Sequence, residues 1–99
     1  MKLFKDAECT QEITSLDLGT VEAGFEKSYT FYVQNDQKCK LENLEFFVAH
    51  KEVSIVSAPK IINTFEVVDF VINWAPSVTI KQGLQTELQV KGYEVYGHD

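Results

Sequence analysis

The sequence predicts an all-β chain folded as a two-sheet antiparallel sandwich of six to seven strands. Three observations point there. Apolar residues recur at every second position in several stretches, as half-buried strands require. Glycine, proline and Asn/Asp clusters separate those stretches. No run of ten or more residues carries the 3.6-residue apolar period of an amphipathic helix.

Residues 1–12 carry charges with few apolar positions and no period, and are expected to be an N-terminal arm. Ile13-Thr14-Ser15-Leu16-Asp17-Leu18 then sets Leu16 and Leu18 on one face, and the strand should end at Gly19. Val21 to Gly24 forms a turn whose glycine can take a positive φ without steric cost. Tyr29, Phe31 and Val33 follow on one face, with Thr30, Tyr32 and Gln34 on the other. Asn35-Asp36-Gln37-Lys38 breaks the alternation as a polar turn. Leu44, Phe46 and Val48 continue the inward face, and Phe47 and Ala49 leave the opposite face apolar as well. Val53 and Ile55 repeat the spacing until Ala58-Pro59, where proline cannot donate to a ladder. Ile61 and Ile62 read as a short plug or edge strand over the open end.

Glu66 to Trp74 is the longest strand candidate, with Val68, Phe70, Ile72 and Trp74 against Val67, Asp69, Val71 and Asn73. After Gly83, residues Leu84, Thr86, Leu88 and Val90 share one face. At Gly92 the phase slips to Tyr93 and Val95, which suggests a bulge or bend. Each strand has one face to bury and only a second sheet can cover it. The sandwich is assigned to residues 13–96 and a tail to 97–99, about the size of an immunoglobulin-like domain.

The 99 residues are 44% hydrophobic and 24% charged, the composition of a globular chain with one core. A formal charge of −6 disfavours a phosphate backbone or an anionic membrane surface, so neither nucleic acid nor membrane is expected as a partner. The N-terminus has a basic residue but no apolar run after it, and the reading is intracellular synthesis without a signal peptide. No stretch approaches the length of a membrane span. Cys9 and Cys39 stand apart without a Cys-x-x-Cys or Cys/His cluster, and free thiols are expected.

Leu16-Asp17-Leu18-Gly19-Thr20-Val21-x-x-Gly24, Phe31-x-Val33-x-Asn35, Phe70-x-Ile72-x-Trp74-Ala75-Pro76 and Gly83-Leu84-x-x-x-Leu88-x-Val90 together resemble the Ig-like domains of the ASPM–SPD-2–Hydin type, relatives of major sperm protein. The resemblance runs from about Ile13 to Val90. It implies a seven-stranded sandwich without catalytic residues, used in large assemblies such as cilia and centrosomes; similar single domains decorate virus capsids and tails. The chain departs from that pattern after Gly92, where the last strand is expected to be short or merged with its predecessor.

No nucleophile motif, Gly-x-Gly-x-x-Gly or phosphate loop is present, so an enzyme is not expected. No cofactor is expected either. His50 and the His98-Asp99 pair fall short of the converging ligands a metal needs. Tyr32, Phe47, Val67 and Val71 lie opposite the core, and would form an apolar patch if their strands share one sheet. Phe25, at a turn tip, reads as a plug over the sandwich end or as a contact residue. The backbone at Gly24-Phe25-Glu26 and at Gly92-Tyr93 offers strand addition. The leading expectation is a non-enzymatic structural or protein-binding subunit of a larger assembly, with the accessory or decoration protein of a virion as its specific form and a homo-oligomer compatible with it. The alternatives are a cytoskeletal adaptor domain, and a carbohydrate or small-ligand binder using Phe25, Tyr29, Tyr32, Tyr93 and Tyr96.

Overall fold

A computed structural model describes residues 1–95 of the chain. Its centre is the antiparallel pair of β4 (Lys27–Gln34) and β7 (Val67–Trp74), which stay in register along their whole length, from Lys27 opposite Trp74 to Gln34 opposite Val67. The first contains the cleanest apolar alternation of the sequence, and the second is its longest strand candidate. β6 (Val53–Ser57) joins the far side of β7, β1 (Lys2–Phe4) joins β4, and β2 (Glu12–Ile13) joins β1. The result is a five-stranded sheet in the order β2-β1-β4-β7-β6.

The opposing layer is built from β3 (Leu16–Gly19) paired with β8 (Leu84–Thr86), and β5 (Lys40–Val48) paired with β9 (Leu88–Val95). Only Glu87 separates β8 from β9, so one interrupted strand serves β3 along its first half and β5 along its second. The architecture is thus the antiparallel immunoglobulin-like sandwich that the alternation predicted, with nine strands among the described residues where six to seven were expected.

Between the layers, the ring of Phe70 packs against Phe31 at 5.8 Å and Phe46 at 5.4 Å, centroid to centroid, and so ties the two sheets together. Leu16, Ile62, Phe70, Ile72 and Trp74 are wholly excluded from solvent. Burying side chains of this size contributes about 1.5–3 kcal/mol each. Ile62 bridges to Leu41 through reciprocal backbone hydrogen bonds of 2.9 Å; it edges β5, while its neighbour Ile61 points to solvent.

The arm departs from expectation. Within residues 1–12, Lys2–Phe4 is a strand of the main sheet. Leu3 packs on the core, and Phe4 lies across from Tyr32 on the outer face, where it is buried. Two apolar residues are too few to show a period, yet enough to hold a three-residue strand. Between β1 and β2, the Asp6 carboxylate accepts hydrogen bonds from the Thr10 hydroxyl and from the backbone N–H groups of Thr10 and Gln11.

The phase slip at Gly92 has its cause in the partner strand. β5 is bulged between Glu42 and Glu45, with Asn43 at φ 53°. The bulge drives Leu44 across β9: a Cβ on Gly92 would lie 2.5 Å from Leu44 Cδ2. Cys9 and Cys39 are both free thiols, and Cys39 is buried.

Candidate protein interface

The residues expected to form one outer patch lie on two different layers. Tyr32, Val67 and Val71 share the outer face of the five-stranded sheet, where Tyr32 faces Asp69, Val71 faces Thr30 and Val67 faces Gln34. All three are half-buried, and buried Phe4 is the cross-strand neighbour of Tyr32. Polar cross-strand partners and the folded arm therefore break up this patch. Phe47 belongs to β5 in the other layer, so the four do not come together. Alternation places Phe47 on an outer face but leaves its sheet open, because period reports the face of a strand and says nothing about which sheet holds it.

Phe47 is 45% exposed, with the Lys91 ammonium 5.6 Å from its ring centroid. Tyr93, on the same outer face of the β5–β9 pair, is 67% exposed. Phe25 is 66% exposed and plugs nothing. Its turn is held by hydrogen bonds from Gly24 N–H to Pro76 O, Phe25 N–H to Glu22 O, and Ala23 N–H to the Thr79 hydroxyl. Those bonds use the backbone donors that strand addition at Gly24-Phe25 would need.

Gly92-Tyr93 is different. It belongs to β9, whose backbone pairs with β5 on one side; no strand pairs with the other side among the described residues. Ala49 N–H donates to Glu87 O at 3.0 Å, and Leu88 stands opposite Val48. In an antiparallel ladder successive residues point their N–H and C=O to opposite sides. Hence Gln89 and Lys91 bond toward β5, and Leu88, Val90 and Gly92 present theirs along the open edge.

Beside that edge the two layers separate. An opening of about 410 Å³ runs between β9 and the β1–β2 border of the main sheet, lined by Leu3, Ile13, Val33, Leu88 and Val90 with Lys2 and Glu12 at its mouth. Leu3, Ile13, Leu88 and Val90 are apolar, pack on the core from one side, and are only half-buried. The cause is the path of the chain. β2 belongs to the main sheet and β3 to the opposing layer, so the crossover at Thr14-Ser15 brings β3 against β8 and leaves β9, among the described residues, with β5 as its one neighbour. Sequence reasoning placed Leu88 and Val90 in the core. No local signal marks them as rim residues, because what leaves them uncovered is the pairing of β3 with β8 rather than with β9.

The remaining candidates are structural. The Tyr29 hydroxyl donates to Leu18 O at 2.6 Å, and burial, aided by Asp17, raises its pKa. His50 Nδ1 accepts from Glu52 N–H at 3.2 Å. Among the described residues no three His, Cys, Asp or Glu side chains gather as metal ligands, and no helix is long and apolar enough to cross a membrane. Tyr96 and the His98-Asp99 pair lie outside the described residues. No protein-family model, curated protein or solved structure matches the chain.

Proposed function

We propose that this chain is a non-enzymatic, protein-binding Ig-like sandwich that works as a subunit of a larger assembly, with an accessory role on a virus particle as the specific form. The observation that carries the reading is the unfinished side of the sandwich, where a β9 edge that no strand among the described residues pairs adjoins half-buried aliphatic side chains. Backbone donors and acceptors along an edge are a template for another chain, and apolar side chains beside them supply the contact area. Exposed Phe47 and Tyr93 on the adjoining face extend the surface available to a partner. The four described aromatics of the carbohydrate reading do not support that alternative: Tyr29 is tied to Leu18, Tyr32 and Tyr93 lie on different layers, and Phe25 sits at a turn.

The mass of the purified protein in solution and its sedimentation with candidate capsids or tails test the proposal. Co-sedimentation, or a defined hetero-complex with another structural protein, is expected. A strict monomer that travels with none of them would remove the virion form.

A further inference from the structure

Resting on the protein-binding reading, the geometry points to one kind of occupant for the unfinished side: an extended strand of a partner protein, added to the free edge of β9 and apolar at every second position. The edge supplies N–H and C=O groups at Leu88, Val90 and Gly92, spaced two residues apart as a strand requires. The side chains of Leu88 and Val90 face the opening, and Leu3, Ile13 and Val33 line its far wall. A strand laid along β9 therefore points alternate side chains into an apolar slot, and its other side chains outward beside Gln89 and Lys91. The slot sets the apolar period, and Lys91 favours a carboxylate at the outward position next to it.

A second copy of this chain fits less well. Two β9 strands related by a two-fold axis keep their inner faces aligned only when the axis passes through a residue. An axis at Lys91 sets two ammonium groups opposite each other, which is destabilising. An axis at Gly92 sets Glu94 opposite Val90, and so puts a carboxylate at the apolar slot. An axis at Val90 carries the second copy on past Leu88 toward the stretch of β8 that β3 already occupies. A partner strand with its own alternation meets none of these conflicts.

The test uses the whole chain and a displayed library of random nonapeptides, followed by amide exchange of the protein with the strongest enriched peptide. Expected are sequences with apolar residues at alternate positions and at least tenfold slower exchange at Leu88, Val90 and Gly92. Gln89 and Lys91, already bonded to β5, should change little. Val90→Lys, which aims a charge into the slot, should weaken the peptide at least tenfold, while Gln89→Lys on the outer face should not; unfolding midpoints show that both variants are folded. Enriched peptides that lack the two-residue period, or that leave exchange at Val90 and Gly92 unchanged, would overturn the strand and leave protein binding standing. An unenriched library would also overturn it, and the broader reading falls with it only if co-sedimentation is negative too. Slowed exchange that rises with protein concentration in the absence of peptide would make a second copy the occupant and overturn the partner strand.

Discussion

Replacing Asn35 should expose how one end of the sandwich is closed. Asn35 is wholly buried, and its side-chain amide donates to Cys39 O at 2.6 Å, Asn63 O at 3.2 Å and Ile62 O at 3.3 Å. Its carbonyl accepts from Gln37 N–H at 3.1 Å. These bonds fasten the β4–β5 turn to the segment that edges β5. In Asn35→Ala the Ile62 carbonyl keeps the Leu41 N–H and the Asn63 carbonyl keeps the Glu66 N–H, while Gln37 is exposed and can turn to water. The Cys39 carbonyl loses its side-chain donor next to a buried thiol. One orphaned buried acceptor plus a small void amounts to about 2–4 kcal/mol, a large part of the roughly 5–15 kcal/mol that holds a domain of this size. Asn35→Asp is more telling, because it keeps the shape but aims a carboxylate at three carbonyl oxygens. Its folded-state pKa must rise above the unfolded value of about 3.9. The ionisation penalty is therefore absent below that value, grows as pH rises toward the folded pKa, and is constant above it, on top of a pH-independent cost for the lost amide donors. Urea unfolding at a series of pH values reads this directly. An Asn35→Asp protein as stable as the parent at neutral pH, or one that gains stability relative to the parent as pH rises, would refute the account.

Gly92→Ala should cost about 1–3 kcal/mol by overpacking, since its Cβ would meet Leu44 Cδ2 at 2.5 Å and Glu42 O at 3.1 Å; in a Leu44→Ala background the same change should cost much less, and a double-mutant cycle by chemical unfolding checks it. The buried Trp74 indole N–H has no acceptor among the described residues, so Trp74→Phe should lose only about 1–2 kcal/mol where Trp74→Ala loses about 3–5 kcal/mol, as read from the two unfolding curves. The side-chain hydrogen bond from Ser77, with its backbone N–H at 2.9 Å, lowers the Glu52 pKa, and Thr10, with the Gln11 and Thr10 N–H groups, lowers that of Asp6. Both contribute stability above the unfolded carboxylate pKa that is lost as pH falls through the folded value; NMR titration should place both midpoints below the ordinary range, and Ser77→Ala should raise that of Glu52.

The strands were legible because their signal is local. Phe31 and Val33, or Phe70, Ile72 and Trp74, announce a buried face by alternation alone, and each ends in the core. What escaped notice depends on pairing across the chain. Asn35 reads as the first residue of a polar turn, and it is one; its burial follows from Ile62 and Asn63 arriving from 27 and 28 positions further on. Phe47 reads as outward-facing, and it is; its separation from Tyr32 is a fact about sheets. Leu3 and Phe4 sit among charges, and only the edge of β4 turns them into a strand.

The opening beside β9 reflects the chain's path rather than general looseness, because the sandwich is fastened at both of its ends. At one end Gly24 bonds Pro76 and the Tyr29 hydroxyl bonds Leu18; at the other, Asn35 gathers three carbonyls. The same long side is also closed along its first half, where β3 pairs with β8 and buries Leu16 and Leu18. The gap begins where the chain leaves the main sheet at Thr14-Ser15 to reach β3. Had the crossover come several residues earlier, β3 would run on along β9 and cover Leu88 and Val90. The surrounding framework would hold the slot's walls in place before any partner arrives, and a preformed slot spares an incoming strand the cost of ordering its receptor.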